Sequence, residues 1–336
     1  MLIVGEVHTN VLRERDPVTT DHAGHLLDLL PGEPVLVSER PMSHVRSPEK
    51  PVGVDCPVVE GSGRQVRVVG TVLQRATIAG GHVLQGSAYV EVRRAAQNAR
   101  LGWSHYLARP GVVEALGRAR WPELADAFAG GGHAGAELDL GAIAGRVVDD
   151  VQRRAVRDTR YQGPLRLRSA RTRLRWVAEV GAEPGDPVRF AVRSGDLRVL
   201  RLTTATQTAP AQDAGVSRET VERLVAVCED VALHDWLLTT LVDITRKAGI
   251  GVLPRHESLE RLVPAIDYLL HLWLPGARGG EVSDLVWAAL ERRGGFSRQW
   301  DTLVRRIRDQ LSVAAVTSLA QAVPRQPPGQ QPYTNA

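Results

Sequence analysis

The feature that most constrains the fold is an arginine-rich run from Leu165 to Leu202, in which apolar and arginine side chains alternate. Alternation with a period of two is typical of a β-strand with one buried and one solvated face. The apolar positions are odd-numbered at Leu167 but even-numbered at Leu174 and Trp176. Because a shift of one residue turns every later side chain to the opposite face, we expect a break at Ser169-Ala170.

The same run contains a second strand pattern. Val188 to Val192 alternates again, and Ser194-Gly195-Asp196 supplies the chain reversal into a strand from Leu197 to Leu202. The sequence therefore predicts arginine-rich antiparallel strands in the middle of the chain.

Positive charge is concentrated in this part of the chain. Residues 151–204 contain thirteen arginines against five acidic residues, a net charge of +8, whereas the whole chain carries +4. Arginine binds phosphate in a bidentate manner, and a two-stranded ribbon can lie in a nucleic-acid groove. One hypothesis is therefore that outward arginines bind nucleic acid or phosphate: Arg166, Arg168, Arg173 and Arg175. The alternative is a solvated strand face made arginine-rich by codon usage, since Lys50 and Lys247 are the only lysines.

The rest of the chain predicts an α+β fold. Residues 1–94 form a β-rich region with one early helix, in which Gly80-Gly81 marks a hairpin between two strands. Residues 95–204 combine helices with the arginine-rich strands, and the helical pattern runs past Gly111 to Leu116. An alternative is that these strands share one sheet with residues 1–94.

We expect a C-terminal helical domain over residues 205–323. Residues 324–336 are rich in proline and glutamine, which indicates a disordered tail. On the last helix one apolar stripe faces the core: Trp300, Leu303, Val304, Ile307 and Leu311. Val313 and Val316 lie toward the flank of that stripe. We therefore expect them to form a partner surface.

Composition narrows the class of protein. The N-terminus lacks a basic segment followed by an apolar one, and no apolar run approaches the roughly eighteen residues of a membrane span. Cys56 and Cys228 are too few for a disulfide framework. These features predict a cytoplasmic protein.

No pattern in the sequence indicates catalysis or a cofactor. Gly102-Trp103-Ser104-His105-Tyr106 lacks the final glycine of a nucleophile elbow, and the glycine-rich residues 130–135 lack the lysine of a phosphate-binding loop. Asp21, His22 and His25 have no second group of ligands with metal-site spacing. We therefore expect no metal and no cofactor, and lean against an enzyme. A site assembled from distant residues stays open as an alternative.

Several strings carry a resemblance to a known family: residues 2–7 (LIVGEV), 38–41 (SERP), 53–57 (GVDCP), 102–110 (GWSHYLARP) and 171–176 (RTRLRW). Together they resemble an uncharacterised family of high-GC bacterial proteins. Its members are encoded beside a variant P-loop protein and sometimes a SAM-dependent methyltransferase. The resemblance implies a protein partner and supplies no catalytic residue.

The leading functional hypothesis is a non-enzymatic scaffold or adaptor subunit of a cytoplasmic bacterial multi-protein system. Four of the seven tryptophans lie in the C-terminal helices, where they suit either a core or an interface. The partner would be the P-loop protein or a second copy of the chain.

Overall fold

The structure is a computed structural model that describes residues 1–14, 16–60, 63–130, 137–157, 167–181, 186–204, 217–277 and 280–322. The expected disordered tail lies outside the described residues, as does Arg166.

Within the described residues, ten strands form one mixed sheet. They are β1 (Leu2–Val11), β2 (Leu36–Ser38), β3 (His44–Arg46), β4 (Lys50–Val59), β5 (Gln65–Ala79), β6 (Val83–Arg94), β7 (Val112–Leu116), β8 (Thr172–Val180), β9 (Val188–Val192) and β10 (Leu197–Thr204).

Eight α-helices accompany the sheet in the same described part of the chain. They are α1 (Thr20–Leu26), α2 (Trp103–Leu107), α3 (Trp121–Gly130), α4 (Leu140–Arg157), α5 (Arg218–Lys247), α6 (Arg255–Tyr268), α7 (Glu281–Arg293) and α8 (Phe296–Ala322). The α+β class expected from the sequence is confirmed.

The N-terminal strand β1 lies inside the sheet. The strand order is β2-β3-β5-β7-β6-β1-β8-β10-β9, and β4 pairs with β5. β1 is antiparallel to both β6 and β8. The expected antiparallel arrangement of the arginine-rich strands is confirmed for β9 and β10 but was wrong for β8 and β10, which are parallel. The arginine-rich strand β8 is thus an interior strand with a neighbour on each side, and it cannot act as a free two-stranded ribbon.

Helices cover both faces of the sheet. Even-numbered residues of β1, including Leu2 and Val4, share one apolar cluster with α3 and the start of α4. Odd-numbered residues, including Ile3 and Val7, share a larger cluster with the C-terminal helices α5 to α8. These helices therefore pack as a layer on the sheet and share its core. Trp236, a core residue of α5, is fully buried.

A buried polar network joins α5 to the sheet. Glu229 of α5 accepts hydrogen bonds from Nε and Nη2 of Arg75 on β5, both at 2.8 Å, and from Oγ of Ser87 on β6 at 2.6 Å. Arg75 also donates to Glu49 at 3.1 Å. Burial lowers the pKa of Arg75, but the charge of Glu229 outweighs it and holds that pKa above its usual range. Since the ions compensate one another, the network orients α5 on the sheet.

One prediction of local structure was wrong. Residues 112–116, expected to continue a helix, form β7, which runs parallel to β6 and antiparallel to β5. Gly70 on β5 permits this approach, because a Cβ there would lie 2.1 Å from the carbonyl oxygen of Val112. None of the described helices is long and apolar enough to span a membrane.

Candidate anion-binding groove

An open groove lies between helix α4 and the neighbouring ends of β1 and β8. Its larger part is a cavity of about 900 Å³ lined by four arginines, Arg146, Arg153, Arg173 and Arg175. A second cavity of about 400 Å³ shares Asp149 and Arg153 with the first and adds Arg13, Arg157 and Arg171. We call the two cavities together the α4 groove. Asp139 and Asp149 are the acidic residues that line its described part.

The arginines of the groove come mainly from two elements, and in each element the structural period places them on one side. On α4, Arg146, Arg153 and Arg157 recur at intervals of seven and four residues, which places them on one side of the helix. On β8, odd-numbered residues point to the face that α4 covers, and these include Arg173 and Arg175. The helix and the strand thus each contribute one wall of arginines.

Three of the seven guanidinium groups, those of Arg153, Arg171 and Arg173, are held by weak surface ion pairs. Arg173 binds Asp196 at 2.9 Å and Arg171 binds Asp149 at 2.5 Å, with every one of these side chains about one third or more exposed. Such pairs contribute about 0–1 kcal/mol, so an anionic ligand can compete for the arginines. Arg146 makes no ion pair or side-chain hydrogen bond within the described residues.

The floor of the groove is a buried cluster of Glu6, His8 and Arg175. Nε of Arg175 donates to Oε2 of Glu6 at 3.0 Å, and Nε2 of His8 lies 3.2 Å from Oε1. Burial raises the pKa of Glu6, but the hydrogen bond from His8 and the charge of Arg175 outweigh it and lower that pKa to about 2. Glu6 is therefore ionised and can only accept, which requires Nε2 of His8 to carry a proton.

Two glycines allow α4 to lie directly on this cluster. A Cβ at Gly141 would lie 2.6 Å from Oε1 of Glu6, and one at Gly145 would lie 3.1 Å from Cε1 and 3.2 Å from Nδ1 of His8. Gln152, further along α4, donates to the carbonyl oxygen of Val11 at 2.7 Å. The helix backbone is thereby fixed against β1.

The four arginines expected to bind phosphate differ in their exposure to solvent. Arg168 is exposed, Arg173 is partly exposed in the α4 groove, and Arg166 lies outside the described residues. Arg175, expected to face solvent, is only 7% exposed because α4 covers this face of β8 and Glu6 neutralises its charge. The expectation of a wet strand face was therefore wrong for Arg175.

Sequence reasoning missed the half of the groove that α4 contributes. The spacing of Arg146, Arg153 and Arg157 on a strongly amphipathic helix was visible in the sequence. Glu6 and His8 gave a weaker signal, namely two residues with ionisable side chains at even positions of a strand whose other side chains are not ionisable.

The expected partner surface of α8 is exposed. Val313 is 45% and Val316 is 66% exposed, while Ile307 on the core side is fully buried. Leu311, expected in the core-facing stripe, is also exposed, so the expectation of a buried position was wrong for Leu311.

Other polar clusters have fewer features of a binding site. Ser104 makes no side-chain hydrogen bond within the described chain, and the neighbouring His105 binds Glu114 at 2.9 Å. No group of three or more His, Cys, Asp or Glu residues in the described ranges is arranged to hold a metal ion.

Comparisons of the chain with protein-family models, with curated proteins and with solved structures found no match. Functional inference therefore depends on the geometry of the groove.

Proposed function

We propose that the protein binds a linear chain of phosphate groups in the α4 groove, either the backbone of a single-stranded nucleic acid or a polyphosphate. The observation that carries the proposal is the convergence of arginines from β8, α4 and the preceding loops on one open groove. The described lining holds seven arginines and two aspartates. Phosphate-rich ligands gain most of their affinity from such charges.

The length of the groove favours a polyanion over a single phosphate. Arg146 and Arg157 are eleven residues apart on α4, which corresponds to about 16 Å along a helix. The arginines at the start of β8 lie opposite this stretch. Several consecutive phosphates can therefore each meet a guanidinium group.

The fold favours a single strand over a duplex. β8 is an interior strand, so no ribbon projects from the sheet to enter a duplex groove. No Phe, Tyr or Trp side chain lines the described part of the groove, so binding there depends on the phosphates and not on stacking of the bases. We therefore expect binding that is independent of base sequence.

The experiment is fluorescence anisotropy with a labelled single-stranded oligonucleotide, titrated over a range of salt concentrations. Each phosphate contact should contribute about 0.7 to the slope of log affinity against log salt. The double variant Arg146→Glu, Arg157→Glu should bind at least about tenfold more weakly and show a smaller slope. Unlabelled polyphosphate as competitor separates the two ligand sources.

The matched control is Arg305→Glu, Arg308→Glu on the exposed side of α8, which changes the net charge by the same amount. This control should bind within about twofold of the unmodified chain. Equal losses in both variants would mean that only net charge matters. Absence of binding at low salt by both the oligonucleotide and polyphosphate would refute the proposal outright.

A second candidate function is an adaptor subunit of a cytoplasmic multi-protein system. We propose that the exposed apolar side of α8 binds the P-loop protein implied by the family resemblance. The supporting observation is a row of exposed apolar side chains at intervals of three residues on this helix: Val313, Val316 and Leu319. Grouped apolar exposure is typical of protein contacts.

The test is co-expression with a P-loop protein of the kind that the family resemblance implies, followed by co-purification. Val313→Glu with Val316→Glu should abolish association without changing the melting temperature, because exposed sites tolerate charge. The control is Val252→Glu with Val263→Glu, two exposed valines outside α8. Normal association of the α8 variant, or its failure to fold, would refute the proposed surface.

A further inference from the structure

His8 in the floor of the α4 groove has one ring nitrogen without a partner. Its Nε2 is committed to Glu6, while Nδ1 is buried and has no hydrogen-bond partner among the described residues. The residue as a whole is 7% exposed. A buried polar atom without a partner is costly, which suggests that a ligand supplies the missing hydrogen bond.

Nδ1 lies on the groove side of the cluster. Its neighbour is Gly145, which lines the groove, and a Cβ there would lie only 3.2 Å from the nitrogen. Nη1 of Arg171 is also close to this place, because it lies 3.8 Å from where a Cβ of residue 145 would be. Within the described residues, Arg171 is held by its surface pair with Asp149, so its guanidinium can move aside and bind the incoming ligand.

The charges around His8 select a particular kind of phosphate. With Nε2 donating to the ionised Glu6, Nδ1 either accepts a proton from the ligand or donates one as imidazolium. A phosphomonoester has a second ionisation at a pKa of about 6 and can share that proton in either direction. A phosphodiester has no such proton, so it makes this contact only with an imidazolium.

His8 lies beside Gly145, in the second turn of α4. Asp139, which caps α4 by accepting from the backbone N–H of Ala142 at 2.9 Å, lines the same cavity at the start of the helix. The opposite end continues along α4 to Arg157. A carboxylate at one end repels further phosphates, while the arginines at the other end extend the run.

We propose that His8 and Arg171 form a subsite for a terminal phosphomonoester, so that the groove recognises the phosphorylated end of a polynucleotide. This inference rests on the proposed function of the groove and identifies which part of the ligand is recognised. His8 is the specificity-determining residue, and Glu6 positions it.

The experiment compares three oligonucleotides of one sequence, with a 5′-phosphate, a 3′-phosphate or hydroxyl groups at both ends. One of the two phosphorylated ends should bind at least about tenfold more tightly than the hydroxyl form, as expected for a hydrogen bond involving a charged group. Equal affinity of all three would refute the terminal subsite while leaving the groove proposal intact. Absence of binding by all three would refute the terminal subsite, and absence of polyphosphate binding as well would refute both.

Two substitutions at His8 test the role of Nδ1. The amide nitrogen of glutamine can replace Nε2, and that of asparagine can replace Nδ1. His8→Gln should therefore reduce the ratio of the two affinities to about one, while His8→Asn should keep part of it. Arg305→Glu with Arg308→Glu should leave the ratio unchanged. A ratio that survives in His8→Gln would refute the role of Nδ1, and a ratio of one in the unmodified chain refutes the subsite even if neither variant folds.

Discussion

Glu229→Gln tests how strongly the buried network holds α5 against the sheet. Glu229 is fully buried, accepts two hydrogen bonds from Arg75 and one from Ser87, and neutralises a guanidinium that is itself 1% exposed. Removing one charge from a buried ion pair costs about 3–5 kcal/mol, because the other charge stays buried. Glu49 still binds Arg75, so the lower end of this range is expected.

The expected shift in melting temperature follows from chain size. Unfolding entropy is about 2.1 cal/mol/K per residue, or about 0.7 kcal/mol/K for 336 residues that unfold as one unit. A loss of about 3–5 kcal/mol then lowers the melting temperature by about 4–7 °C. Circular dichroism at 222 nm, where α-helices absorb, and scanning calorimetry measure this shift.

The matched control is Glu222→Gln, the same substitution two turns earlier on α5. Glu222 pairs with Arg218, and these side chains are 44% and 65% exposed. Such a pair contributes at most about 1 kcal/mol, so the control should shift the melting temperature by about 1 °C or less. Equal shifts for the two variants would contradict the view that burial makes the Arg75–Glu229 pair important.

Three further predictions concern other parts of the chain. The pKa of Glu6 in the folded state is about 2, below its ordinary value of 4.5. The ionised carboxylate therefore stabilises the fold above about pH 4.5, and this stabilisation is lost as the pH falls toward 2. The stabilisation amounts to about 3 kcal/mol. Acid unfolding of Glu6→Gln should lack this part of the pH dependence, and an acid transition identical to that of the unmodified chain would contradict the prediction. Gly86→Ala should lower the free energy of unfolding in urea by more than about 2 kcal/mol, because the new Cβ would lie 2.6 Å from the carbonyl oxygen of Ala144. A variant as stable as the unmodified chain would show that α4 can move away from β6. Burial and then the charge of Asp55 raise the pKa of the Cys56 thiol to about 11, and burial followed by the charge of Glu229 raises the pKa of Cys228 well above its usual value. Neither thiol should therefore react quickly with iodoacetamide at pH 7, and rapid labelling of Cys228 in the folded chain would refute its burial.

Local patterns in the sequence were enough to find most strands and helices. The alternation at Leu174 and Trp176 predicted β8, and the apolar stripe of α4 predicted a helix, because each pattern depends only on the period of its own element. For residues 112–116 the local pattern gave the wrong element, a helix instead of the strand β7. Five residues with mixed propensities fit a helix turn or a strand, and pairing with β5 and β6 decided between them.

The environment of the charged side chains could not be read from the same patterns. Arg175 on β8 and Arg75 on β5 both have the spacing of ordinary strand residues, yet both are buried against carboxylates from distant parts of the chain. Burial depends on which helix covers a face of the sheet. That choice is made by packing across long sequence separations, not by the period of the strand.

The sequence by itself determined the fold class, the concentration of arginine between residues 151 and 204, and the separate arginine rows of α4 and β8. Only the tertiary structure brought the two rows together as opposite walls of one groove and put His8 between them. The reason is physical: a periodic pattern fixes the direction of side chains within one element, whereas a binding site needs side chains of several elements at one place. Here Gly141 and Gly145 decide that distance, since they let the backbone of α4 rest on Glu6 and His8.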